Sequence, residues 1–119
     1  MIVWEPDKNI VREPRLQDLM DALYALLQLI PVGCVTSYSE IGRVLGLNPR
    51  VVARILSMNR NPVIIPCHRV VASNGELKGY RYGGVEVKKK LLELEGVKII
   101  NNRVDERFFY KLSWLTSDE

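Results

Sequence analysis

The stretch SYSEIGRVLGLNPRVVARILSM, Ser37–Met58, decides the fold. Ser37 is suited to cap a helix, and Glu40, three residues on, can close a capping box. Ile41, Val44 and Leu45 give that short helix a buried face, and Gly46 supplies its stop. Asn48-Pro49 then opens a second helix, with Asn48 as N-cap and Pro49 in the first helical position, running through Arg50, Val51, Val52, Ile55 and Leu56 to about Met58. Two short helices across a glycine-containing turn predict a helix-turn-helix over about residues 37–58, the second helix in the recognition position. Arg43, Arg50, Arg54 and Arg60 lie in or just beyond this unit, and Glu40 is its only acid. The arginines are either a solvated helical face or a surface for a polyanion.

On the N-terminal side, Leu16, Leu19, Met20, Leu23, Leu26, Leu27 and Ile30 recur at helical spacing. They predict a helix over Arg15–Ile30 with Pro14 in its first turn and Pro31 and Gly33 ending it. A short extended piece, Cys34 to Thr36, leads into the helix-turn-helix. Beyond it, Ser73-Asn74-Gly75 predicts a turn that folds Val70–Ala72 against Glu76–Gly79 as a small hairpin. GYRYGG, Gly79–Gly84, reads as a mobile loop. Val85–Glu95 predicts a last helix with Val87, Leu91, Leu92 and Leu94 apolar, Lys88, Lys89 and Lys90 outward, and Gly96 as its stop. The tail, residues 97–119, offers a Val97–Ile100 strand, an Asn-Asn turn and a Phe108-Phe109-Tyr110 cluster that packs. No repeat or linker interrupts residues 1–119, which read as a single domain, mainly α with a small β-hairpin.

Composition sets limits. The 119 residues are 47% hydrophobic with a net charge of +3 and a pI near 9.0, enough for one core and compatible with a polyanionic partner. The opening MIVWEPDKNIVREPR has no apolar run suited to a signal peptide, and no later run approaches the roughly 20 residues of a membrane span; the expectation is a cytoplasmic protein with no membrane contact. One histidine and two cysteines do not make a closed zinc site without several carboxylates, and no GxGxxG or GxxxxGK[ST] loop is present. Neither a metal nor another cofactor is expected. Cys34 and Cys67 read as free thiols.

The chemistry concentrates in IIPCHRVVASNG, Ile64–Gly75, which holds the only histidine. A thiol attacks as the thiolate, and a neighbouring histidine favours that form. Adjacent side chains in extended backbone point apart, so a Cys67–His68 pair needs a turn at Pro66-Cys67 or a bridging water. Glu95 is an acceptor that can fold back onto His68. Alternatively, Cys67 is a small buried hydrophobe beside a hydrogen-bonded core histidine.

IIPCHRVV resembles the active-site motif of the O6-alkylguanine-DNA alkyltransferases, and the similarity extends through VGCVTSYSEIG, NRNPVIIPCHRVV, GYRYGG and KKKLLELEG, from about Leu16 to Gly96. The resemblance implies a winged helix-turn-helix-like alkyltransferase domain with its active-site motif at residues 66–70. It implies stoichiometric, irreversible transfer of an alkyl group from O6-alkylguanine to the protein, after the base is flipped from duplex DNA bound by the minor groove. By position, Cys67 is the acceptor, His68 its base through a water, Glu95 the residue that orients the imidazole, and Asn59 the side chain that fixes the turn. Tyr38 would contact the flipped base and Arg50 fill its place in the stack, with Arg54 as the alternative. Tyr80 and the backbone of Val70 and Arg81 would line the base pocket, and Arg69 is expected on the same DNA-contacting surface. The expected protein is a monomer that needs no cofactor and is associated with the nucleoid through DNA.

Family members usually carry an additional N-terminal domain, whereas this chain begins almost directly at the shared one. Alkyltransferase-like proteins are similarly short; they bind damage and recruit other repair proteins without transfer, generally lacking the motif's cysteine, which is present here. A plain helix-turn-helix regulator and a cysteine hydrolase are further readings, the first leaving PCHRV idle and the second lacking an evident oxyanion-hole loop.

Overall fold

The computed structural model describes residues 2–112; the last seven residues of the expected tail, 113–119, lie outside them. Four helices and three two-stranded pairs make up the described chain. Strands β1 (Val3–Glu5) and β2 (Ile10–Arg12) form an antiparallel hairpin. Helices α1 (Leu16–Leu27), α2 (Tyr38–Leu45), α3 (Pro49–Leu56) and α4 (Gly84–Leu94) follow in order. Strands β3 (Thr36–Ser37) and β4 (Val70–Val71) pair in parallel, and β5 (Ile99–Ile100) and β6 (Arg103–Val104) pair antiparallel. This agrees with a mainly helical chain carrying small strand pairs.

The helix-turn-helix forms as its caps require. Ser37 accepts the backbone N–H of Glu40 at 3.0 Å, and Asn48 accepts that of Arg50 at 2.8 Å, each satisfying a donor that the helix start leaves open. Gly46 closes α2 at φ +72, where a Cβ would be strained. Gly42 matters for another reason: a Cβ there would come 2.4 Å from the Leu47 carbonyl oxygen, so the turn packs against α2 only over glycine. The other half of the capping box is replaced. Glu40 pairs with Arg43 and accepts the backbone N–H of Leu112 at 3.0 Å, fastening the end of the described chain to α2.

Two apolar clusters hold these elements. The larger joins Leu23 and Leu27 of α1, Ile41 of α2, and Val52, Ile55 and Leu56 of α3 around Cys67 and Val70. The smaller joins Val35, Val71, Leu77, Leu92, Val97 and Val104. The strand entering α2 lies between them: Val35 exchanges backbone bonds with Phe108 and Tyr110 on one side, and Thr36–Ser37 pair with Val70–Val71 on the other. The aromatic cluster therefore packs as expected, against the strand that precedes the helix-turn-helix.

Several expectations need correction. Helix α1 starts at Leu16, with Arg15 as its N-cap, so Pro14 precedes the cap rather than entering the first turn. Ser73-Asn74-Gly75 does turn, with Ala72 bonded to Glu76, but no hairpin extends from it. Val70–Val71 pair with Thr36–Ser37, and Gly75 to Leu77 bond to Asn102 and Val104. The hairpin in this half of the chain is β5–β6, whose Asn101 and Asn102 both adopt positive φ, +52 and +62, as a type I′ turn demands. On α4, Lys88 is buried rather than outward, and Leu94 is 84% exposed. At 100° per residue, Leu92 and Leu94 cannot share a face, whereas Lys88 and Leu92 do.

Val63 is the outlier, at φ +71 with half its surface exposed. A β-branched side chain in this region is strained by about 1–2 kcal/mol, and the turn it occupies, closed by Asn61 and Ile65, leads directly into Pro66-Cys67. Replacing it with asparagine, which tolerates this conformation, is expected to raise stability by about 1 kcal/mol in a thermal melt. An unchanged or lower melting temperature would mean that the side chain contributes more than its backbone costs.

Candidate active site

Pro66 follows the turn at residues 61–65, and Cys67–Arg69 form one turn of 3-10 helix closed by the Arg69 N–H on the Pro66 carbonyl at 3.0 Å. The turn expected at Pro66-Cys67 is therefore present, but the imidazole makes no hydrogen bond to the thiol. The thiol reaches the floor of an open cleft of about 610 Å3, walled by Tyr38, Arg50, Tyr80, Arg81 and Lys88. His68 points inward and is fully buried.

The imidazole is held by one partner. Its Nε2 lies 3.0 Å from Oε2 of Glu95, so with Nε2 carrying the proton, Nδ1 is an acceptor. Nδ1 is buried and has no partner among the described residues. Burial pushes the His68 pKa below its ordinary value, although Glu95 opposes the shift, so the ring is neutral near pH 7 and able to take a proton. For Glu95, burial would raise the carboxyl pKa, but hydrogen bonds from Arg69 and His68 outweigh it and hold the group below the usual range.

Asn59 is fully buried and ties the loop to the turn. Its Nδ2 donates to the Ile65 carbonyl at 2.9 Å and to Sγ of Cys67 at 3.3 Å, while Oδ1 accepts the Asn61 N–H at 2.9 Å. The GYRYGG loop is fastened to the same region: the Tyr82 hydroxyl donates to the Asn59 carbonyl, and Arg81 Nη1 donates to the Ser57 carbonyl at 2.8 Å. Tyr80 and Tyr82 meet edge to face with centroids 6.0 Å apart. The loop read as mobile is thus anchored to the end of α3.

Of the residues singled out in the sequence, Cys67, Tyr38, Arg50, Tyr80 and Arg81 come together around the cleft, and His68, Glu95 and Asn59 lie beneath it. Arg54 is exposed in the last turn of α3 and is absent from the cleft wall. Val70 is fully buried and does not line the cleft. Arg69 departs most from expectation. It is buried, with Nε and Nη2 on the Glu95 carboxylate at 2.9 and 2.8 Å and Nη1 on the Ile30 carbonyl at 2.9 Å. A guanidinium forks onto a carboxylate in this way because its donors match the two oxygens, and here that fork orients the acceptor for His68.

Sequence reading missed Lys88. Its ammonium lies 3.4 Å from the Tyr38 hydroxyl and 5.8 Å from that ring's centroid. Burial lowers its pKa to about 8 and pushes that of Tyr38 up to about 12. The signal was available: Val85, Lys88 and Leu92 share one helical stripe, which places the lysine on the core side of α4.

Comparison with known proteins places this geometry. The family model described as 6-O-methylguanine DNA methyltransferase, DNA binding domain, matches residues 18–97. The methylated-DNA--protein-cysteine methyltransferase of Pyrobaculum aerophilum is 52% identical over 79 residues, covering 66% of this chain and 53% of the relative. The chain spans about half the length of the curated relatives it matches. Among solved structures, S. pombe Atl1 in complex with damaged DNA containing O6-carboxymethylguanine superposes with a TM-score of 0.74 at 25% identity, covering 82% of this chain and 99% of that one. The Mycobacterium tuberculosis OGT in complex with DNA gives 0.63 at 38% identity, covering 66% and 49%.

Proposed function

The chain belongs to the 6-O-methylguanine DNA methyltransferase family, and from that premise we propose that it repairs DNA by moving an alkyl group from the O6 of guanine in a duplex onto its own Cys67. The single observation that carries this reading is a thiol lining an open cleft, with a buried histidine next to it in the chain whose Nδ1 has no partner among the described residues. The cysteine sulfur attacks the alkyl carbon, the S–C bond forms as the C–O6 bond breaks, and guanine leaves with the electron pair and takes a proton from solvent, matching the one the thiol releases. The thiol proton passes to His68 Nδ1 through a water, with Nε2–H held on Glu95. A thioether has no easy leaving group, so each molecule acts once. Asn59, Glu95 and Arg69 act through the turn and the imidazole as positioning residues, and no cofactor enters the reaction.

The base reaches the thiol by leaving the stack. In this reading the helix-turn-helix contacts the minor groove, Arg50 occupies the vacated place, and Tyr38 and Tyr80 flank the extruded base. Arg50→Ala is therefore expected to slow reaction with alkylated duplex more than with the free alkylated base. Equal losses on both substrates would refute the extrusion role.

A second reading is a damage-binding protein that does not transfer. The superposition with Atl1, which extends over nearly that whole chain, favours it; retention of Cys67 beside a neutral histidine favours transfer. Incubation with an oligonucleotide containing O6-methylguanine, followed by peptide mass measurement, separates the two. Transfer is expected to add one methyl group to the Cys67 peptide alone, and Cys67→Ala to abolish the gain while leaving binding intact. Tight binding by reduced protein with no mass gain would select the second reading.

A further inference from the structure

A second group of cations gathers away from the Cys67 cleft. Hairpin β5–β6 and the 3-10 turn Glu106–Phe108 border a cleft of about 470 Å3 lined by Lys98, Arg103, Arg107, Asn74 and Asp105. It shares no lining residue with the cleft above Cys67. Among the described residues the ion pairs use Lys8, Arg12, Arg43, His68, Arg69 and Lys78, and none of these three cations.

The other groups in the cleft offset only part of that charge. Asp105 is the only acid on its wall, and its Oδ1 accepts the Arg107 backbone N–H at 2.9 Å, capping the 3-10 turn. Asn74 uses Oδ1 on the Glu76 N–H at 3.0 Å, so its amide group has N–H donors left to offer. The Arg107 guanidinium carbon lies 5.0 Å from the Phe108 ring centroid, a contact that favours this placement. Like charges brought together repel, and a multivalent oxyanion relieves that repulsion while accepting several charge-assisted hydrogen bonds.

We propose that this cleft binds a phosphate group and serves as a second attachment point for nucleic acid, apart from the cleft that receives the base. Its volume exceeds that of a lone ion, and Ile100, 60% exposed on the cleft wall, offers an apolar neighbour to a sugar. The nucleic-acid source rests on the DNA reading above; the phosphate chemistry of the cleft stands without it.

The test uses the full chain. Amide resonances of residues 98–107 are followed during titration with inorganic phosphate alone and with a short undamaged duplex. Duplex affinity is then measured against salt concentration for the wild type, for the triple variant Lys98→Gln, Arg103→Gln, Arg107→Gln, and for a charge-matched control, Lys8→Gln, Lys89→Gln, Lys90→Gln. Both titrants are expected to shift the resonances saturably. The first triple should flatten the slope of log affinity against log salt by roughly 0.9 per lost phosphate contact, or about 1–3 in all, with a smaller change in the control. Resonances unmoved by either titrant, or equal slope changes in the two triples, would overturn the proposal. Failure of the wild type to bind duplex, with phosphate still shifting the resonances, would refute the DNA reading and leave the site standing with free phosphate as its ligand.

Discussion

Replacing Glu95 with alanine is expected to destabilise the fold by about 3–5 kcal/mol, the range for removing one partner of a buried ion pair. The carboxylate receives two donors from Arg69 and one from His68, and the Arg69 side chain is only 11% exposed. Without Glu95 that guanidinium stays buried with the Ile30 carbonyl as its remaining partner, and the imidazole loses its orienting acceptor. Glu95→Gln keeps the shape and loses the charge, so its cost should be smaller. Urea unfolding of the three proteins at equal slope reads these differences directly. A loss under about 1 kcal/mol for the alanine variant would show that the Arg69–Glu95 pair is screened by water.

The same cluster sets the acid limb of stability. The folded-state pKa of Glu95 is lowered, so its stabilisation is present above the ordinary carboxyl pKa and is lost as pH falls through the folded value. That of His68 is lowered as well. Below about pH 6.5 the unfolded chain takes up the imidazole proton first, which again favours unfolding.

Lys88→Met is expected to have the second largest effect, a gain of up to about 3 kcal/mol at pH 7. A drop from 10.5 to about 8 corresponds to that penalty at about 1.4 kcal/mol per pH unit, and methionine fills the space without a charge. Between pH 8 and 10.5 the unfolded state of the wild type binds more protons than the folded one, so wild-type stability should rise with pH across this window. The variant should stay flat there. Above about pH 10 Tyr38 works in the opposite direction, because its folded pKa is raised to about 12 and the unfolded phenol ionises first. Identical pH profiles for the two proteins would show that Lys88 keeps its ordinary proton affinity in the folded state.

How much of this was legible in the sequence depended on the range of each interaction. The caps at Ser37 and Asn48 and the stop at Gly46 are local, and each formed where the residues predicted. Glu40 keeps a local partner in Arg43 and takes a second in Leu112, a contact fixed 72 residues away. The strand pairing of Val70–Val71 failed for the same reason: Thr36–Ser37 competes for that edge from across the core. Cys67, Tyr38, Arg50, Tyr80 and Arg81 were brought to one cleft, as their motif placed them. Arg69 was expected on the DNA-contacting surface, and only the approach of Glu95 and Ile30, 26 and 39 residues away, gives it an internal use. The β1–β2 hairpin was missed because Pro6, Asp7 and Asn9 in its turn obscure two strands of only three residues each.

Arg69 also bears on the order in which the molecule assembles. Its guanidinium joins the carbonyl that follows α1 to the carboxylate that ends α4, partners 39 residues before it and 26 after it in the chain. Neither contact is available from local structure, so loop closure has to precede both. During synthesis α1, α2 and α3 can pair while the chain lengthens, yet His68 has no acceptor until residue 95 has emerged and docked. The His68–Glu95 hydrogen bond therefore forms among the last steps, and a nascent chain stalled in α4 has its imidazole unheld.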